Sequence, residues 1–383
     1  MKSFAGLGYN PADIVTALTS SGRQMRYRHE WLTAVNTSKG FLSCIHTGAS
    51  VSNSALASIK RTMTGTLLAD IDPGFNFLSD RLRPWLGVRM PDGGWVDMPQ
   101  GVFLLSQPGR KYNNGMTTRP FTGYDQGQVL SDLKIGASRY VAKTGVLYTD
   151  IITSLTAACP QMNIVPSDLT VPADRMWDPG TSYLQIVNDC CTAISYNSVW
   201  FDGFGVGQVG PYVLPADAPA GFTYTNVGNQ ALFTPEVDET LDLFSVPNYI
   251  SYSVSQPGRP VLTATWANNE PSSPVSIPAR GRVIPLVDAS QDVATQVELA
   301  ALVRRAGINA ANVYRKITFN TPAMPMHENR DTLAITHSGL GLTGNYTETD
   351  WKLTLAAGAQ MEHTVRQVVN IDPSLTGLPD DGS

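Results

Sequence analysis

Residues Ser182 to Val213 read SYLQIVNDCCTAISYNSVWFDGFGVGQVGPYV, and the stretch changes period in its middle. Tyr183, Leu184, Ile186, Val187, Cys190, Cys191 and Ile194 recur at steps of three and four, which predicts a helix with a wide apolar stripe. Thr181 or Ser182 can cap its start. From Ser198 the pattern becomes strand-like. Asp202-Gly203 between two apolar runs predicts a hairpin turn, because Gly takes positive φ without steric cost. Gly205, Gly207 and Gly210 match the spacing of a dinucleotide-binding fingerprint. That fingerprint needs a following helix whose N-terminus holds the pyrophosphate, and here Pro211 to Pro215 follow. The glycines therefore serve the hairpin, and the stretch reads as a compact helix-plus-hairpin unit near the centre of the chain.

The flanking segments differ from this unit and resemble each other. After a short helix from Pro11, residues 22 to about 126 show β alternation broken by turns such as Lys39-Gly40 and Pro91 to Gly94, which predicts six to eight antiparallel strands. From Phe244 strands return (VPNYISYSVS, PVLTATWANNE, RKITFN, ETDWKLTLAAG, QMEHTVRQVVN). One helix interrupts them over Asp292–Ala306, with a capping box at Asp288 to Gln291 and Gly307 as its C-terminal cap. The expected layout is mainly β with an α+β insert: a first β-barrel over 1–130, an α/β insert over 131–243, a second β-barrel over 244–371, and a loose tail over 372–383.

Composition narrows the function classes. Only 15% of the 383 residues are charged, against roughly 25% in an ordinary soluble domain, while 42% are hydrophobic. Large, weakly charged surfaces suit interfaces, where burying an unpaired charge is costly. A net charge of −5 argues against a protein that grips nucleic acid. The Arg23, Arg26, Arg28, His29 cluster reads as a charged strand edge rather than a phosphate site. Cys44, Cys159, Cys190 and Cys191 form no CxxC pair and read as buried apolar groups made in a reducing compartment. No signal-peptide pattern or membrane-length apolar run occurs.

Catalytic patterns are weak. Ser131 to Lys134 and Lys143 to Gly145 copy two β-lactamase motifs but stand too close together. The polar run Met326 to Asp331 could supply a general base or a metal ligand, and more readily a self-satisfied turn. Asp70/Asp72 and Asp238/Glu239 are the candidate carboxylate pairs for glycoside hydrolysis. No cofactor or metal is expected.

Taken with FSVPNYISYSVS, WANNEPSSPVSIPARGRVI, DVATQVELAALVRRAG and the TPAMPMHENRDTL turn, the central unit resembles that of the baseplate or tail-tip hub proteins of long-tailed, siphovirus-like bacteriophages, with the fold of the phage T4 type of hub. The resemblance covers essentially the whole chain as a pattern of elements. It implies a homotrimer in which each chain supplies two barrels like those of the tail tube. Three chains then present six similar units and adapt a sixfold tube to a threefold tip around the DNA exit channel. The implied neighbours are a distal tail or tail-tube protein above, tip or fibre proteins below, the tape-measure protein, and phage DNA in transit. The implied location is the virion, after synthesis in the host cytoplasm. The protein would be structural, with any lytic or receptor-binding activity on another protein. Arg81, Arg83 and Trp85 are the candidate inter-subunit contacts, since a Trp flanked by Arg has the make-up of an interface anchor. The competing expectation is a carbohydrate-binding or glycan-hydrolysing tail-tip protein. The seven tryptophans are spread over all three segments, as core and interface tryptophans are.

Overall fold

The computed structural model describes residues 1–368, apart from 43–47, 69–74, 107–108, 214–217, 228–231, 235, 242–245, 256–259, 272, 274, 290–295 and 312–313. Cys44, His46, Asp70, Asp72, Gln291 of the capping box, the start of the helix expected from Asp292, and the tail lie outside the described residues. The chain divides into two compact units, Met1–Val237 with Phe319–Val365, and Asp238–Thr318 with Arg366–Ser383.

The first unit opens with helix α1 (Pro11–Thr19). The Asn10 side chain accepts the Ala12 amide and Pro11 fills the first turn, while Ile14, Ala17 and Leu18 are buried. Nine strands follow: β1 (Met25–Leu32), β2 (Ser38–Leu42), β3 (Ala49–Ser54), β4 (Arg61–Leu68), β5 (Arg81–Arg89), β6 (Trp95–Pro99), β7 (Phe103–Leu105), β8 (Lys111–Asn113) and β9 (Met116–Tyr124). They pair in the order β3-β4-β9-β7-β5-β1-β2, with β6 on β5 and β8 on β9. The period-2 alternation expected of half-buried strands holds: Ala49, Val51 and Asn53 are buried while Ser50, Ser52 and Ser54 are not. The arginine cluster is not on a strand edge, because β1 lies between β2 and β5. Arg26 and Arg28 instead share one carboxylate across the sheet, that of Asp97 of β6.

The insert carries α2 (Gly127–Asp132), β10 (Tyr140–Ala142), α3 (Tyr148–Leu155), β11 (Met162–Ile164), β12 (Arg175–Trp177), α4 (Tyr183–Ala193), β13 (Trp200–Phe201) and β14 (Gly207–Val209). The expected helix and hairpin are both present. Ser182 caps α4 by accepting the Gln185 amide at 3.2 Å. Its apolar stripe packs with Ile151, Ile152 and Leu155 of α3 in one core. Strands β13 and β14 pair antiparallel, and the Asp202 carboxylate accepts the Phe204 and Val206 amides to hold the turn. Cys159, Cys190 and Cys191 are free and buried in this core. Burial pushes their thiols up to about 12, 11 and 12.

After β15 (Phe222–Thr225) and β16 (Val237–Leu241), the second unit holds β17 (Tyr249–Val254), β18 (Leu262–Ala267), a short α5 (Ile277–Arg280), β19 (Pro285–Asp288) and α6 (Gln296–Ala311). Strand β17 pairs antiparallel with β18 and parallel with β19. Leu299 and Val303 of α6 pack on Ile250, Tyr252 and Val254. Gly307 does not end this helix, which runs on to Ala311. It is a close-approach position: a Cβ there would lie 2.1 Å from the Trp266 ring. Helical spacing alone cannot distinguish a capping glycine from one that admits an aromatic ring.

Strands β20 (Tyr314–Pro322), β21 (Thr332–His337), β22 (Leu342–Leu355) and β23 (Gln360–Val368) complete the chain. The 14-residue β22 pairs with β21 through its first half and with β3 through its second, Asp350 opposite Ser54 and Leu355 opposite Ala49. The late strands therefore extend the sheet of the early ones. Consequently the expected 244–371 domain is divided, with 238–318 forming its own small sheet and core while 319–365 joins the first unit. β-pairing between Asp350–Leu355 and Ala49–Ser54 joins segments about 300 residues apart, and no local pattern encodes such a pairing.

Gly307→Ala lowers the unfolding stability of the second unit by about 1–3 kcal/mol through overpacking against Trp266, although helix propensity alone would raise it by about 1; chemical denaturation reads the sign. In the native protein at pH 8 a thiol reagent of the disulfide-exchange type leaves Cys159, Cys190 and Cys191 unmodified, and all three react after denaturation.

Candidate functional site

Residues 323–329, AMPMHEN, are buried throughout, although three of them are polar. They lie in the first unit, and the chemistry of that burial centres on Glu328. One of its oxygens pairs with the fully buried Arg61 of β4. The other accepts the Gly203 amide at 3.0 Å and lies 3.5 Å from Lys2 Nζ. Its backbone carbonyl accepts Trp351 Nε1 at 2.7 Å and its amide donates to Asp331 at 2.7 Å. Lys2 also donates to the carbonyls of Pro325 and His327, and the Met1 ammonium pairs with Asp331. Burial raises the Glu328 carboxyl, but Arg61 and Lys2 outweigh it and hold the group below the usual range. Burial lowers Lys2 to about 8.

Gly203 is the second residue of the Asp202-Gly203 turn. It docks the insert hairpin here, its carbonyl accepting the Gly101 amide while its own amide reaches Glu328. A Cβ at Gly203 would lie 2.4 Å from the Pro99 carbonyl oxygen, so no larger residue fits. The hairpin, the early strands and the 323–331 loop thus meet at one carboxylate.

A second cluster lies beside it. Glu348 of β22 faces two imidazoles, His327 Nδ1 and His363 Nδ1, each at 2.6 Å. Tyr224 OH meets His327 Nε2 at 2.8 Å and Thr321 Oγ1 meets His363 Nε2 at 2.8 Å. The consecutive buried residues Glu348 and Thr349 break the alternation of β22 and aim the carboxylate inward. Burial pushes Glu348 up to about 7 and His327 down to about 3, and lowers His363. With Glu348 protonated, every group is neutral and satisfied: Glu348 donates to His363, His363 to Thr321, Thr321 to the Pro322 carbonyl at 2.9 Å, while His327 donates to Glu348 and Tyr224 to His327. When Glu348 ionises, both Nδ1–H groups donate to it and both hydroxyls donate to the Nε2 atoms, so the carboxylate and imidazoles keep their partners while Thr321 gives up the Pro322 carbonyl.

His327, Glu348 and His363 have the ligand types of a metal centre, with donor atoms within 4.8 Å of one another. All are hydrogen-bonded already, however. The Nδ1 atoms of both imidazoles and both carboxyl oxygens of Glu348 are taken up by one another. The geometry is that of a structural proton-sharing network. Met326 to Asp331 is readable in the sequence as the most polar cluster. Its partners Glu348 and His363 stand in ordinary strand patterns, with nothing local to mark them. The candidate pair Asp238/Glu239 gives one ion pair, Glu239 with Arg315 at 2.8 Å.

Two outer sheet faces of the first unit contrast. On β1, β5 and β6, Arg26, Arg28, Arg83, Trp85, Trp95 and Asp97 share one face. Arg26 lies over the Trp95 ring at 4.5 Å, Trp85 Nε1 donates to Glu30 at 2.8 Å, and Arg83 pairs with Glu30 at 3.2 Å. The three expected contact residues, Arg81, Arg83 and Trp85, are thus on one strand, half-buried. Phe204 of the insert meets the Trp85 ring edge-on at 6.3 Å. On β22, β3, β4 and β9 the outer face is different. One row runs Lys352, Ser52, Thr62, Tyr124 and the next Thr354, Ser50, Thr64, Thr122. Lys352 pairs with Glu362.

Arg61→Ala leaves Glu328 buried without its main partner and costs about 3–5 kcal/mol of stability, read by urea unfolding. The imidazoles of His327 and of His29, which burial lowers to about 4, remain neutral at pH 5.5. Each folded pKa is depressed below its unfolded value. Their stability contribution is therefore complete above about pH 6.5 and is lost as pH falls toward 4 for His29 and 3 for His327. Glu348 acts oppositely, its contribution falling between its unfolded value and about 7. Histidine NMR titration separates the two, since an imidazole shift midpoint near 6.5 at either histidine would contradict the burial account.

No family model matches the chain, and no curated protein matches it in sequence. Solved structures do match in fold. A tail protein from Neisseria meningitidis MC58 superposes with TM-score 0.64 at 11% identity, over 89% of this chain and 96% of that one. The 43 kDa tail protein of prophage MuSo2 from Shewanella oneidensis gives 0.62 at 10%, over 89% and 98%. Prophage tail protein gp18 from Listeria monocytogenes EGD-e gives 0.52 at 9%, over 90% and 95%. No helix among the described residues is long and apolar enough to cross a membrane. The chain has the fold of these phage tail proteins.

Proposed function

We propose that this chain is a structural hub subunit of a bacteriophage tail tip. Three copies close into a ring that joins the sixfold tube to the threefold tip and walls the DNA exit channel. The observation that carries this reading is the fold likeness over nearly the whole of both chains to the Neisseria and Shewanella tail proteins. A structure described as a PdpA–VgrG complex supports the kind of partner: it matches 95% of this chain and 67% of its own, with TM-score 0.56. The neighbours proposed are a distal tail or tube protein above, tip or fibre proteins below, and the tape-measure protein, with DNA passing through.

The layout proposed is two tail-tube-like barrels around the insert. In this layout the early and late strands join where β22 pairs with β3. Arg81, Arg83 and Trp85 are proposed as part of the inter-subunit contact, on a face with the Trp and Arg enrichment of protein interfaces. The protein is read as non-enzymatic. Its inward carboxylates Glu328 and Glu348 are enclosed, at 4% and 0% exposure, and no glycan can reach them.

Native mass measurement on the purified chain tests the proposal. The expected result is a species of three chains, and Trp85→Ala weakens its association by about 30-fold with the fold retained. A monomer that hydrolyses cell-wall glycan would remove the reading. A trimer indifferent to Trp85→Ala would remove only the contact assignment.

A further inference from the structure

We infer that the hydroxyl-bearing outer face of β22, β3, β4 and β9 is the wall past which the polyanion moves, a surface that presents mainly hydroxyls, with one ion-paired lysine and the Asp350 carboxylate opposite Ser54. The inference rests on the hub reading and adds to it the identity and chemistry of the wall. The registers place Ser50, Ser52, Thr62, Thr64, Thr122 and Thr354 side by side on four adjacent strands. Their opposite face is core, with Val51, Met63 and Leu353 fully buried. Thr64 Oγ1 and Ser50 Oγ lie 2.8 Å apart, so hydroxyls satisfy one another across the strands.

Such a face carries less charge than the roughly 25–35% aimed for on a designed soluble surface, in keeping with the 15% charged residues of the chain as a whole. It is equally unlike a protein interface core, which is enriched in Trp, Arg and Met. In the two four-residue rows the single cation is Lys352, and Glu362 neutralises it at 3.5 Å. Phosphates are held by cations and released counterions, so rows with no unpaired cation offer almost no non-specific affinity for DNA. A strongly acidic face would repel DNA and raise the energy of its entry. Hydroxyls keep the wall wet and hydrogen-bonded while holding phosphate weakly. β-Branched threonine is also the polar residue best suited to a pleated strand, so slipperiness and fold stability are served by the same residues. The contrast with the Arg and Trp face on β1, β5 and β6 gives the unit one adhesive side and one non-adhesive side.

The test places cations on the wall. Phage carrying Thr64→Lys with Thr122→Lys are compared with wild type and with Leu78→Lys, which adds a cation at a position 83% exposed and off this face. Tail content is measured by mass spectrometry and DNA ejection by dye release at low and high salt. The expected result is normal incorporation of the protein, ejection slowed about tenfold or more at low salt, relief by salt, and no effect of Leu78→Lys. Ejection at the wild-type rate with normal incorporation overturns the wall assignment and leaves the hub reading intact. Absence of the wild-type protein from tails overturns the hub reading itself. If the lysine pair prevents assembly, Thr64→Cys and Thr122→Cys tails are labelled with a small maleimide and with a 5-kDa polymer maleimide. Labelling by the small reagent alone supports the wall, and equal labelling by both overturns it.

Discussion

The ion pair between Glu328 and Arg61 is the constraint on which the first unit depends. Each partner is enclosed, and an enclosed charge without its counter-charge costs several kcal/mol. Neither residue can therefore move independently of the other. Around that pair the fold recruits Lys2, the Gly203 amide, the Gln100 carbonyl and the Trp351 indole, which come from the N-terminal segment, the insert, the early sheet and β22. A purely apolar junction of the same volume could be as stable. The polar junction joins hairpin, loop and strands through named donors and acceptors rather than through apolar contact alone.

Much of this is legible in the sequence and some of it is not, for physical reasons. Helix α4 and the hairpin after it are readable because their periodicities are local, and Pro211 excludes the cofactor loop. The β-rich flanks are readable from alternation. The seam of β22 on β3 is not, because hydrogen bonding between strands leaves no mark on either sequence. Gly307 resembles a cap because helical spacing does not show the Trp266 ring above it. The arginines of β1 resemble an edge because sequence gives no strand order. Met326 to Asp331 is visible as a polar run. That it is buried, and that His363 and Glu348 complete it, follows only from tertiary folding. The low charge fraction is readable from composition, whereas the rows of Ser and Thr on one sheet face follow only from the strand registers.

Enclosed carboxylates and imidazoles often mark active sites; here each is paired with groups from other segments of the chain. Glu348, His327 and His363 are buried and satisfied in either protonation state, and Glu328 is locked by two cations. The buried polar groups of the first unit hold segments together. That arrangement fits a component whose task is to be a shaped wall and a joint. The insert hairpin, docked by Gly203 on the central ion pair, ties the middle of the chain to segments from both ends of it.

The most direct measurement is an electron cryomicroscopy map of the tail tip of the phage that encodes this chain. The account predicts three copies in a closed ring on the tail axis, with the strands bearing Thr64 and Thr122 turned toward the lumen. A tip whose ring is built from other proteins, or three copies with those strands facing outward solvent, would contradict it.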